Sequence, residues 1–260
     1  MTEEEVLDHV KSGRVFYLSP DHFDERMMTV AEMRAIFSYS YFNAFWQYED
    51  PPCAEKLHAL LKSGLHSNGF IACRDVLKYP VLCELFAYEI MKVIERRLMI
   101  PQRAPRIDAV ASSAYSAISL GWEVARFMSN KYNRTIAHVV VEKDSRGNPT
   151  VIRGGIDPGV NVLILNELMT TGGGSTLETR KAVLTCNGDD PAPTVLEPAF
   201  VLVHRSKDYT LADGSAVQPV FHFDIENFEP EECPYCKAGS EAIKPKVGDG
   251  TNWRRLHGQI

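Results

Sequence analysis

Apolar positions from Met1 to about Asp50 recur at helical spacing, and VAEMRAIFSYSYFNAFWQYED carries aromatic side chains at intervals that suit a helix packed against a core. Pro51 and Pro52 break this pattern, after which CAEKLHALLKSG reads as a second helix, ended by Gly64. LHSNGFIACRDVLKYP reads as a strand with a turn at Ser67 to Gly69, and a helix follows from Val81 to about Met99. From Ile107 to Arg205 the pattern changes to short unbroken apolar runs alternating with helical stretches. IDAVAS, HVVVEK, VLIL and AFVLVHR are the runs; SAYSAISLGWEVARFMSNKY is a small-residue loop entering a helix; DSRGNPTVIRGGIDPG is a polar excursion punctuated by glycine and proline. A turn at Ala212 to Gly214 and the strand VQPVFHFDI follow. Strands without polar alternation are covered on both faces, so this alternation predicts an α/β domain, a central mostly parallel sheet flanked by helices. The expected boundaries are 1–56 for an N-terminal helical extension, 57–225 for the α/β domain and 226–260 for a tail, extension and tail forming a hood over the strand ends.

The stretch VLILNELMTTGGGSTLE, Val162 to Glu178, carries the chemistry. A buried strand ends in Asn166 and Glu167, and Thr170 and Thr171 lead into Gly172, Gly173 and Gly174. Ser175 and Thr176 suit the cap of a helix running through Arg180 and Leu184. Glycines that let backbone N–H groups converge, followed by the positive end of a helix, make a phosphate cradle. The rival interpretation is an ordinary glycine-rich strand-to-helix connection. No lysine follows the glycines as a P-loop requires, and the spacing of a dinucleotide fingerprint is absent, so a different phosphate ligand is indicated.

Composition narrows the partners. The 260 residues are 45% hydrophobic, enough for a sizeable core, and the net charge of −6 disfavours nucleic acid in favour of small anions. MTEEEVLDHV is acidic and lacks a signal-peptide layout, and no apolar run is long enough for a bilayer, so the expectation is a cytoplasmic protein whose six cysteines are thiols, with no membrane partner. Cys233 and Cys236 in CPYC have metal-ligand spacing, but zinc needs four ligands, and the other cysteines and His222 offer no second close pair. A plain structural turn is expected there, and no metal ligand is assigned.

Several ordered stretches resemble the type I phosphoribosyltransferases, and among them the orotate phosphoribosyltransferases. VLILNELMTTGGGS resembles that family's phosphoribosyl pyrophosphate (PRPP) signature, an apolar strand, two acids, two hydrophobics, then Thr-Thr-Gly-Gly-Ser. LLKSGLHSNGFIAC resembles the Leu-Lys-Ser-Gly segment, IDAVASSAYSAISLGWEVA the pyrophosphate loop, and VLVHR with ECPYCKAGSEAIKP the end of the sheet and the Cys-Pro-x-Cys-x-x-Gly tail of some relatives. The likeness runs in order from about Leu57 to Pro245. It implies transfer of the phosphoribosyl group of PRPP to a nitrogenous base, orotate or a related pyrimidine, with magnesium pyrophosphate leaving, in a homodimer.

By the same resemblance, Thr170 to Gly174 and Ser175 hold the sugar phosphate, and Asn166 and Glu167 face the ribose, Glu167 lending negative charge. Lys62 reaches the phosphates, and Ser113, Tyr115 and Ser116 meet the pyrophosphate. Asp144 to Gly155 matches a mobile loop with Lys143, Arg146 and Arg153 as cations for the leaving group. Arg205 matches the arginine for the orotate carboxylate, with Phe70 as a further contact to the base. Four features depart from the family pattern: Asn166 replaces the first acid, Ser116 stands where many orotate enzymes have lysine, the excursion lacks the Lys-x-x-Lys-x-His-Gly run, and His204 replaces an aspartate. A catalytically silent nucleotide binder of the same fold is therefore a second reading, and a zinc-stabilised interaction protein a third.

Overall fold

The computed structural model describes residues 1–99, 104–152, 155–247 and 250–260. In chain order the strands are β1 (Phe45–Gln47), β2 (His58–Leu60), β3 (His66–Ser67), β4 (Gly69–Ile71), β5 (Ala109–Ser113), β6 (Ala137–Lys143), β7 (Pro149–Val151), β8 (Asn161–Met169), β9 (Thr194–His204), β10 (Val217–His222), β11 (Asn227–Phe228) and β12 (Ala242–Ile243). The α-helices are α1 (Glu3–Lys11), α2 (Val30–Ser38), α3 (Cys73–Leu77), α4 (Pro80–Leu98), α5 (Ser116–Tyr132), α6 (Gly174–Thr185), α7 (Pro234–Lys237) and α8 (Thr251–Leu256). The chain divides into two compact units, Met1–Ile36 with Cys73–Phe223, and Phe37–Ala72 with Asp224–Ile260.

The first unit holds a six-stranded sheet in the order β10-β9-β8-β5-β6-β7. All neighbours are parallel except β7, which pairs antiparallel with β6. The apolar runs of β5, β8 and β9 are buried on both faces, as their lack of alternation requires, whereas in β6 only Val141 is buried and its neighbouring valines are half-buried. Ala109, Ala111, Val162 and Ile164 point one way and pack with Ala182 and Val183 of α6. Val110, Leu163 and Leu165, fully buried, point the other way, the side that α5 approaches. A Cβ on Gly121 of α5 would stand 2.6 Å from His138 Nε2 and 2.9 Å from Ser112 Oγ, so glycine is what lets this helix lie against the sheet.

Neighbouring strands β5 and β8 send their crossovers in opposite directions, through α5 to β6 and through α6 to β9. Their carboxyl ends therefore open a crevice at a topological switch point, where α/β sheets bind ligands.

The polar excursion after Lys143 is largely a hairpin. β7 returns along β6 with Val141 opposite Val151 and Lys143 opposite Pro149. Asp144 Oδ1 accepts from the N–H groups of Arg146 and Asn148, both at 2.8 Å, and Gly147 takes φ +85°. A side-chain-mimicked turn with glycine at the left-handed position favours that return, and Pro149 is tolerated because β7 is an edge strand.

The second unit contains a four-stranded sheet, β11-β3-β2-β12, and the pair β1–β4. Its core gathers Trp46, Tyr48, Ala59, Cys233, Tyr235, Ile243 and Leu256. Two expectations are corrected here. The stretch read as a helix up to Gly64 contains β2 and a tight turn, Gly64 N–H donating to Leu61 O at 3.1 Å with φ +93°. Pairing of β2 with both β3 and β12 overrides the helical spacing of Leu57, Leu60 and Leu61. The aromatic stretch likewise stops being helical at Ser38 and continues as β1, whose Trp46 lies opposite Phe70 of β4. The compact units also divide residues 1–56 differently from the expected extension: 1–36 belongs with the large sheet, and 37–72 with the tail.

Candidate active site

Asn166, near the carboxyl end of β8, is 1% exposed and uses its whole amide. Its Nδ2 donates to Ser175 Oγ at 2.7 Å and Thr176 Oγ1 at 3.0 Å. Its Oδ1 accepts from Ser113 Oγ at 3.0 Å and from the Glu167 N–H at 2.9 Å. One side chain thus joins the ends of β5 and β8 to the first turn of α6. The expectation that this amide faces the ribose is corrected, because its hydrogen-bonding capacity is consumed within the protein.

Glu167 is half-buried, and its Oε1 accepts from Ser116 Oγ at 3.1 Å. Tyr115, between Ser113 and Ser116, is 84% exposed and has φ 74°, ψ −115°, a backbone state unfavourable for a residue with a Cβ. Such backbone strain persists only where the surrounding structure holds the segment in place.

Between β8 and α6, Thr171–Gly173 form a single 3₁₀ turn, Gly172 has φ +73° and Gly173 φ +59°, and the Gly173 N–H donates to Thr170 O at 3.1 Å. A Cβ on Gly173 would stand 2.4 Å from Leu211 Cδ2, whereas one on Gly172 or Gly174 would meet nothing. The α6 cap is Gly173 itself, without a side-chain hydrogen bond. This corrects the expectation of a Ser175 or Thr176 cap: both hydroxyls lie inside the first turn and accept from Asn166. A helix start with no side-chain cap leaves first-turn N–H groups for a ligand, and Ser175, acting as acceptor toward Asn166, keeps its own proton to donate.

Arg205 follows β9, is 3% exposed, and donates its backbone N–H to Met169 O at 3.0 Å. Burial pulls its guanidinium down to about 10, which leaves it cationic at neutral pH. The preceding His204 is fully buried, stacked 4.5 Å from the Tyr209 ring, with Nε2 donating to Asp208 O at 3.0 Å. Lys143 ends β6 and pairs with Glu178 Oε1 at 2.9 Å across exposed surface.

The first unit therefore brings together Ser113, Tyr115, Ser116, Asn166, Glu167, Ser175 and the Thr170–Gly174 loop. Lys62 and Phe70 belong to the second unit: Lys62 is exposed in the β2–β3 turn, and Phe70 packs edge-on to Trp253 at 5.5 Å. Arg153 lies outside the described residues.

The expectation that Cys233 and Cys236 lack a second close pair is also corrected. His58 on β2 and His66 on β3 face them, the four ligand atoms lying within 4.8 Å of one another. The signal for this pair was HALLKSGLH read as a hairpin, which places both imidazoles in one small sheet.

No family model matches the chain. Among curated proteins, the orotate phosphoribosyltransferase of Campylobacter fetus subsp. fetus is 31% identical over 204 residues, 76% of this chain and 95% of that protein. That of Pelotomaculum thermopropionicum is 31% identical over 189 residues, 72% and 87% of the two. The chain belongs to the orotate phosphoribosyltransferase family. Among solved structures, an orotate phosphoribosyltransferase from Mycobacterium tuberculosis H37Rv in complex with Fe(III) dicitrate aligns at TM-score 0.47 and 19% identity over 64% of this chain and 87% of that one.

Proposed function

We propose that the protein transfers the phosphoribosyl group of PRPP to orotate or a related pyrimidine. The observation that carries this reading is the hydrogen-bonded cluster at the switch point, which fixes an uncapped glycine-rich helix start beside a carboxylate in a chain of this family. The Thr170–Gly174 loop and the Ser175 hydroxyl hold the sugar phosphate. Glu167 hydrogen-bonds the ribose hydroxyls, and its charge stabilises the oxocarbenium character that develops as pyrophosphate departs. The strained backbone at Tyr115, with Ser113 and Ser116, meets the pyrophosphate. Lys143 and Arg146 are cations for the leaving group; the exposed Lys143–Glu178 pair is worth only about 0–1 kcal/mol, so releasing the lysine costs little. Arg205 offers a planar fork for a carboxylate on the base.

The donor set fits magnesium in the manner usual for phosphate substrates, one carboxylate from the protein and the remaining oxygens from the ligand. Glu167 would hold it, Asn166 having no group to spare, and the ion would neutralise charge on the leaving group. The same reading places the protein in the cytoplasm as a homodimer, whose mass sedimentation measures. No helix among the described residues is long and apolar enough to cross a membrane.

The test is pyrophosphate release from PRPP and magnesium with orotate, uracil and purine bases in parallel. Release with orotate alone supports the proposal; release with none sinks it. A silent nucleotide binder is the second reading, favoured by the amide at position 166, which supplies no charge. It predicts thermal stabilisation by PRPP without turnover, and Asn166→Asp is the variant in which turnover would then emerge.

A further inference from the structure

His58 and His66 come from a hairpin of the second unit, while Cys233 and Cys236 flank and occupy α7 in the tail. Zinc–nitrogen bonds of about 2.0–2.1 Å and zinc–sulfur bonds of about 2.3 Å in a tetrahedron imply ligand separations of roughly 3.3 Å between nitrogens and 3.5 Å between nitrogen and sulfur. In the structure His58 Nε2 is 2.9 Å from His66 Nδ1 and 3.5 Å from each cysteine Sγ, and Cys236 Sγ is 3.2 Å from His66 Nδ1. Small adjustments of side chains would open this cluster to tetrahedral size.

The surroundings fix the chemistry of the nitrogens. His58 Nδ1 lies 2.8 Å from Ser240 Oγ, and that hydroxyl donates its own proton to Lys56 O at 2.5 Å. Ser240 can therefore only accept, so His58 carries its proton on Nδ1. The lone pair is left on Nε2, the atom facing both sulfurs and His66. An imidazole oriented through its second nitrogen is the usual support of a metal-binding histidine. His58 and Cys233 are fully buried and His66 nearly so, a position where two thiols and two imidazoles converge without a carboxylate among them. The cysteines are free thiols.

We propose that His58, His66, Cys233 and Cys236 form a closed tetrahedral zinc site that ties the hairpin of the second unit to its tail. On binding, the ion displaces one proton from each thiol to solvent while both imidazoles bind neutral, so the two thiolates balance its charge. Four protein ligands leave no open position, which makes the site structural. Thiolates select zinc over magnesium, so the site is chemically separate from the one proposed for the transfer reaction.

The test uses the full chain, purified without a histidine tag from zinc-supplemented medium. Elemental analysis is expected to find about one zinc per chain. Cobalt exchanged into the protein is expected to show thiolate charge-transfer and tetrahedral d–d bands, lost in Cys236→Ser. Because that variant could also misfold, the wild-type chain is treated with a strong chelator: its melting temperature falls and is restored by zinc, not by magnesium. Metal-free protein with no cobalt–thiolate spectrum, or a Cys233–Cys236 disulfide mapped in freshly purified protein, overturns the assignment. No readout involves PRPP, so the outcome is independent of the proposed transfer.

Discussion

Asn166 is the residue on which the site's internal order turns. Truncating it to alanine leaves Ser113, Ser175, Thr176 and the Glu167 N–H without their partner, and buried groups stranded in this way cost about 1–3 kcal/mol. Asn166→Ala should therefore lower the denaturant midpoint clearly. Asn166→Asp should lower it less, because the two hydroxyls on α6 can rotate to donate to a carboxylate. Equal losses in the two variants would refute the hub role. The sequence marked position 166 as part of the site but assigned it to the ligand, because the partners that absorb its amide come from β5 and α6 and meet it only in space. His138 makes a second prediction at this scale. Loss of hydration pulls its imidazole down to about 4, against about 6.5 in an unfolded chain. The unfolded state then binds the proton first, so this contribution to stability is complete above about pH 6.5 and declines as pH falls toward 4. Urea unfolding at about pH 7 and about pH 5 should show a drop in wild-type protein that is smaller in His138→Gln.

At the scale of elements, the unbroken apolar runs were enough to find the strands of the large sheet: burial on both faces explains them in β5, β8 and β9, while β6 carries one although only Val141 of it is buried. The three glycines likewise announced a turn that needs left-handed backbone. What the pattern did not contain was the hairpin from His58 to Ser67, whose leucines fall at helical spacing and whose strand state comes from pairing with the distant β12. Nor did it show β7, where a short polar segment returns as an edge strand because Asp144 and Gly147 close the turn. The glycine loop allows a differential prediction. Gly172→Ala meets open space, so it pays only for left-handed backbone, about 1–2 kcal/mol. Gly173→Ala carries the same strain and also forces Leu211 aside, so its melting temperature should fall further and PRPP binding should weaken more. A Gly173→Ala protein as stable as Gly172→Ala would mean that the Leu211 contact does not constrain the loop.

Over the whole molecule, the two compact units differ in how their chain is assembled. The sheet of the first unit comes from one continuous stretch between Ala109 and His222, with its core closed by the intervening helices. The second unit is built from segments separated by the length of that sheet, and a linear reading that placed the boundary near 56 divided it from its own N-terminal strand. Its stability depends on the tail: β12 lies parallel to β2, β11 antiparallel to β3, and Cys233, Tyr235, Ile243 and Leu256 fill the core against Trp46, Tyr48 and Ala59. Remove the tail and β2–β3 is a two-stranded hairpin with half its apolar cover missing, which is marginal in water. Ending the chain after Phe223 should therefore leave the amides of β5, β8 and β9 protected from hydrogen exchange. Those of β1 to β4 should exchange near the rate of an unfolded chain. Protection persisting in β1 to β4 would show that the N-terminal segment of the second unit folds without its partner strands. Uniform loss of protection in both sets would show that the large sheet depends on the smaller unit, contrary to the separate cores described for the two.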